Sequence, residues 1–216
     1  MTRIALVHAL AHSVAPINAA MAQAWPEAVR MNLLDDSLSA DLARSGHGLD
    51  DAMHARFAAL ADYAVATGAQ AILFTCSAFG PCIEAVALRH ADIPVLKPNE
   101  AMVQEALAIG GRIGLIASFA PTLASMPAEF PAQLDLQCAL AAGAMEALDR
   151  GDLVTHDQAV VAAAQQLAQA GCTAIALAQF SMARAAPLVR NALLGLLPVL
   201  TTPESAVRAL RTRLAV

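Results

Sequence analysis

The chain has 216 residues, 58% of them hydrophobic and only 14% charged, with a formal net charge of −5. That length can bury a sizeable core, and the absence of any basic block argues against a nucleic-acid partner, which needs a positive footprint. No apolar run reaches the roughly 18–20 residues that span a bilayer, so no membrane partner is expected.

Much of the apolar excess is alanine, which suits close helix packing and leaves apolar surface for a homodimer interface. The four cysteines, Cys76, Cys82, Cys138 and Cys172, form no CxxC pair. The opening segment lacks a small-residue cleavage site. Free thiols in a reducing compartment follow, and a cytoplasmic location is the expectation.

Along the chain, Arg3–Val7 reads as a buried strand, Val14–Trp25 as a helix and Val29–Leu34 as a second strand. A polar loop follows, after which Asp50 and Asp51 are placed to cap a long helix running to about Ala66. Ala71–Thr75 reads as a third strand, Pro81–His90 as a helix, Ile93–Leu96 as a fourth strand and Asn99–Ile109 as a helix. Strands separated by helices imply right-handed crossovers and a parallel sheet.

The pattern then restarts. Arg112-Ile113-Gly114-Leu115-Ile116 repeats Arg3-Ile4-Ala5-Leu6-Val7, and Ala120-Pro121 with Met126 echoes Ala15-Pro16 with Met21. Gly68-Ala69-Gln70-Ala71-Ile72 returns as Gly171-Cys172-Thr173-Ala174-Ile175, and Ile93-Pro94-Val95-Leu96 as Leu197-Pro198-Val199-Leu200. The offsets run from 103 (Gly68 to Gly171) to 109 (Arg3 to Arg112), in unchanged order. That is the mark of an internal repeat. The fold class expected is α/β: two duplicated parallel-sheet lobes related by a pseudo-two-fold axis, with the active-site cleft between them. The first lobe is placed at 1–98, with a C-terminal helix at 203–216 packing back on it, and the second lobe at 99–202. Open sheets of this kind bind ligands at the carboxyl ends of their strands.

The richest local stretch is Phe74-Thr75-Cys76-Ser77-Ala78-Phe79-Gly80-Pro81. A buried strand ends here and Pro81 marks a helix start. A thiol at this point lies beside free backbone N–H groups and a helix dipole, both of which favour thiolate and bound carboxylates. Thr75 and Ser77 add hydroxyl donors. The set fits an acid/base or nucleophilic cysteine with an oxyanion pocket, and equally a small core residue.

A mid-chain Thr75-Cys76-Ser77 at a strand end, in a duplicated chain of this length, resembles the aspartate/glutamate (hydantoin) racemase superfamily. That superfamily also includes allantoin racemases, maleate isomerase and arylmalonate decarboxylase. The resemblance implies cofactor-independent carbon-acid chemistry at the α-carbon of a small carboxylate, with no metal. In two-base members one cysteine per lobe faces the substrate. Cys76 matches the first, but an offset of 103 falls on Gln179 within Ala178-Gln179-Phe180-Ser181. Glutamine exchanges no proton near neutral pH, so two-thiol racemisation is not expected, although Gln179 can still hydrogen-bond an oxyanion. Cys172 falls at the far end of its strand and reads as core.

The resemblance makes Cys76 the catalytic thiol and places Thr75, Ser77, Gln179, Phe180, Ser181, Ser118, Thr122 and His8 around the substrate. His8 either holds a ligand group or closes a core strand, and Thr122 either donates to ligand or caps a helix. Asp36 and Lys97 are weaker candidates for ligand contact, and Asn99 for a helix cap. His47, His54, His90 and His156 show no metal-ligand spacing. The alternatives to a racemase-like reaction are decarboxylation with one-sided protonation and an inactive ligand-binding protein. A redox pair of Cys76 with Cys82 has little support, because six residues and a helix start separate the two.

Overall fold

The computed structural model describes residues 1–46 and 48–215; His47 and Val216 lie outside them. The chain divides into two compact units, Met1–Pro98 with Ala206–Val216, and Asn99–Ser205.

In the first unit the strands are β1 (Arg3–His8), β2 (Val29–Leu34), β3 (Ala71–Phe74) and β4 (Val95–Leu96). They form one sheet in the order β2-β1-β3-β4. All pairings are parallel, with Leu6 opposite both Asn32 and Leu73. Central strands β1 and β3 are buried almost throughout, as apolar runs covered on both faces must be. The helices are α1 (Val14–Ala24), α2 (Ser37–Ser45), α3 (Asp51–Ala66) and α4 (Gly80–Arg89). Asp50 caps α3 by accepting from the Met53 N–H, which supplies one of the orphan donors of its first turn with a partner. Inside, Phe57 of α3 stacks on Phe74 at 5.3 Å between ring centroids and meets Phe79 in a tilted arrangement at 4.9 Å.

The second unit repeats the scheme. After α5 (Glu100–Ile109) come β5 (Arg112–Ala117), α6 (Ala120–Ser125), β6 (Asp135–Leu140), α7 (Ala144–Asp149), α8 (Leu153–Gln169), β7 (Ala174–Leu177), α9 (Ala186–Ala192) and β8 (Val199–Thr201). The sheet order is β6-β5-β7-β8 and again every pairing is parallel. Asp152 caps α8 through the Thr155 N–H as Asp50 caps α3. Strand alternation sends Ile113, Leu115 and Ala117 into one core with Met102 and Met126, and Ile116 into another with Val160 and Val189. Gly114 permits this packing, since a Cβ there would lie 2.9 Å from Leu167 Cδ1 and 3.1 Å from Leu167 Cβ. Helix α10 (Thr202–Arg213) follows β8, and its Arg211 donates to the Ala24 carbonyl at 2.8 Å.

Several expectations need correction. The polar loop after β2 contains helix α2, and β3 stops at Phe74, one residue early. Asn99 precedes α5 but its side chain makes no cap; it donates instead to Glu129 at 3.2 Å. Thr122 caps nothing either, since it lies inside α6, which Phe119 precedes. Among the described residues no helix is long and apolar enough to cross a membrane.

Candidate active site

Cys76 follows β3 by two residues and precedes a 3-10 turn, Ser77–Phe79. Its backbone is extended (φ −131°, ψ 123°), so the chain reaches the rim of the sheet before turning. The residue is half-buried; Cys82 and Cys172 are buried, and Cys138 is exposed on edge strand β6. A narrow hollow runs beside the thiol between His8, Leu38, Phe57 and Phe74.

Burial pushes the Cys76 thiol above its ordinary pKa, and the opposing hydrogen bonds from the Ala78 N–H and the Ser39 hydroxyl do not offset it. The turn and its N–H donors are present, but desolvation by the aromatic and aliphatic neighbours wins. The group at rest is therefore a neutral thiol, where backbone donors and a helix dipole alone pointed to thiolate. A protonated thiol is a proton donor first and a base second.

Ser39 belongs to α2 and was not foreseen. Three acidic and hydroxyl groups tie that helix and its approach to Arg56 of α3: Asp35 at 2.6 Å, Ser37 at 2.6 Å and Asp41 at 2.7 Å. Burial raises the Asp35 carboxyl, but hydrogen bonds from Ser37 and Arg56 and the Arg56 charge overcome it and hold it below its ordinary value. Leu38, fully buried, anchors the same helix beside the hollow. A Leu38–Leu42 pair after Asp36 was the signal available in the sequence. Asp36 itself is exposed and leaves the turn chemistry to Asp35, whose carboxylate accepts from the Ser37 N–H and hydroxyl.

His8 ends β1 and is fully buried. Its Nδ1 lies 2.9 Å from Thr75 Oγ1 and its Nε2 lies 3.0 Å from Asn32 Oδ1. Burial lowers its pKa, with the Asn32 hydrogen bond acting the other way. The ring is thus neutral. An amide oxygen can only accept, so Nε2 carries the hydrogen toward Asn32 and Nδ1 accepts from the Thr75 hydroxyl. Asn32 and Asn18 then pair amide to amide, at 2.8 and 3.2 Å. This chain fixes Thr75, the neighbour of the thiol, from beneath.

The second unit presents the equivalent position with different chemistry. Gln179 follows β7 by two residues, is extended in the same way (φ −128°, ψ 145°) and precedes the 3-10 segment Phe180–Ala185. Its Oε1 accepts from the Ser118 N–H at 2.7 Å and from the Ser118 hydroxyl at 3.0 Å. Phe180 and Ser181 are buried, at 3% and 8% exposure, and offer a ligand little surface. Thr122 and Ser77 are half-buried. Lys97 pairs with Glu84 at 2.9 Å. Among the described residues no group of three or more His, Cys, Asp or Glu side chains is placed to hold a metal ion.

The sequence model described as Asp/Glu/Hydantoin racemase matches residues 11–210. The chain belongs to that racemase family. No curated protein matches it. Among solved structures, a glutamate racemase from Bacillus anthracis superposes with a TM-score of 0.73 at 13% identity, over 99% of this chain and 82% of the other. An allantoin racemase from Klebsiella pneumoniae gives 0.72 at 18%, over 100% and 88%. A glycine-to-cysteine variant of arylmalonate decarboxylase, in a sulfate-associated form, gives 0.66 at 21%, over 97% and 92%. At these identities the likeness is one of fold.

Proposed function

We propose that the protein transfers a proton at the α-carbon of a small carboxylate, with Cys76 as the single catalytic thiol and Gln179 in the place of a second cysteine. The observation that carries this reading is the pair of equivalent strand-end positions, one holding a neutral thiol and the other an amide. A two-base racemisation needs a thiolate to remove the proton and a thiol to return one. Here one thiol serves, and its environment keeps it protonated.

That asymmetry favours decarboxylation of a malonate-type acid over racemisation. Breaking the bond to one carboxylate releases carbon dioxide and leaves the electron pair on the remaining fragment as an enediolate. No base is required for that step. The Cys76 S–H then gives its proton to one face of the planar carbon, and the resulting thiolate regains a proton from water. A hydrogen-bond donor such as the Gln179 amide suits an enediolate oxygen, whereas the Thr75 hydroxyl already gives its one hydrogen to His8. The reaction needs no cofactor, and this reading places the protein in the cytoplasm.

The test is incubation of a prochiral arylmalonate in deuterated water. One deuteron at the α-carbon, a product of one hand, and loss of turnover in Cys76→Ala are expected. A racemic product, or undiminished turnover in Cys76→Ala, would sink the reading. Tight binding of the diacid without release of carbon dioxide would point to a ligand-binding protein on a racemase fold.

A further inference from the structure

Ser118 fixes which way the Gln179 amide faces, and that orientation decides what chemistry the position can meet. The Ser118 backbone N–H can only donate, and it lies 2.7 Å from the Gln179 side-chain terminus. Turning the amide over would set N–H against NH2, two donors with no acceptor between them. The atom facing Ser118 is therefore Oε1. The Ser118 hydroxyl, 3.0 Å away, donates to the same oxygen. A carbonyl oxygen has two lone pairs, and Ser118 occupies both. Ser118 is itself buried, at 5% exposure.

What remains is Nε2. It has no hydrogen-bond partner among the described residues, and Gln179 is only half-buried. The side chain thus offers two N–H donors and no acceptor, on an arm held at its root by an extended backbone and at its carbonyl by two bonds. We infer that Ser118 is a positioning residue that turns Gln179 into a fixed, donor-only contact, so the ligand group meeting it is an oxyanion, a carboxylate or an enediolate oxygen, and not an ammonium. The inference deepens the reading above by naming what one end of the substrate must be. An acid carrying an α-ammonium toward this point meets N–H against N–H; a diacid without one finds two donors.

Titrating malonate into the intact protein, with the Gln179 side-chain Hε and Nε2 resonances observed by NMR, tests it. Malonate should move those resonances while malonamide, uncharged and of the same shape, should need at least about tenfold more. In Ser118→Ala one of the two bonds is gone, and malonate affinity should fall about fivefold, the equivalent of one neutral hydrogen bond. Ser118→Thr, which keeps the hydroxyl, should restore it. A loss of packing alone would not respond to that exchange. Malonate leaving the Gln179 resonances unmoved, or binding Ser118→Ala as tightly as the parent, overturns the inference. The titration does not depend on turnover, so a failure of the Cys76 chemistry shows up in the arylmalonate assay and not here.

Discussion

Removing the Ser39 hydroxyl should make the Cys76 thiol harder to ionise. In the folded protein Ser39 and the Ala78 N–H are the two donors that favour thiolate, against a larger burial effect. A hydrogen bond to a charged acceptor is worth about 1.5–3 kcal/mol and one to a neutral acceptor about 0.5–1.5 kcal/mol, so Ser39→Ala removes about 1 kcal/mol of preference for thiolate. At a fixed pH below the titration midpoint that is about a fivefold smaller thiolate fraction. Iodoacetamide labelling against pH, with the modified peptides resolved by mass spectrometry, reads it directly. Cys138 is exposed on β6 and supplies an internal reference, while buried Cys82 and Cys172 should stay unlabelled in the native state. The midpoint reports ionisation and the high-pH plateau reports access, so any loosening of α2 is separable. The Cys76 midpoint should rise while that of Cys138 stays. An unchanged or lower Cys76 midpoint would refute the account of the thiol. The same shift has a stability counterpart: a group whose folded pKa is raised contributes stability below its unfolded pKa and loses it as pH climbs through the folded value.

Two further expectations concern the scaffold. Gly114→Ala should destabilise by about 1–3 kcal/mol through overpacking against Leu167 and Ile175, whereas Ala5→Gly, the repeat-equivalent change, should cost only about 0.5–1 kcal/mol; urea unfolding gives both, and equal losses would contradict the packing argument. His8, neutral in the fold with a lowered pKa, should make stability fall as pH drops below about 6.5, where the unfolded chain takes up a proton that the folded state refuses. Unfolding midpoints at pH 5 and 7 should show a smaller difference in His8→Gln than in the parent, and an equal difference would remove His8 from the explanation.

Duplication was readable because central strands carry their pattern locally: Arg3–Val7 and Arg112–Ile116 are apolar whatever surrounds them. Helix α2 was not, because Ser37, Ser39, Asp41 and Arg44 spell a turn, and the helix exists only where Leu38 finds a core and Arg56 binds its acids. The position of the thiol was legible from Thr75-Cys76-Ser77. Its protonation was not, since the neighbours that desolvate it, Leu38 and Phe57, are distant in the chain and meet only in the folded unit. Asn99 and Thr122 misled for one reason: cap-forming residue types say nothing of whether a better partner, here Glu129 for Asn99, or an earlier helix start, here Ala120 ahead of Thr122, will take the side chain.

The first unit draws on two stretches of chain with the whole second unit interposed. The Arg211 to Ala24 hydrogen bond joins residues 187 positions apart. On a ribosome this imposes an order of maturation. The interposed half, contiguous and with mostly local connections, has its full sequence first, while the thiol-bearing half must wait for a helix translated more than a hundred residues after its fourth strand. Nascent molecules therefore carry an amide-bearing half ready to settle before the half that holds Cys76 is finished.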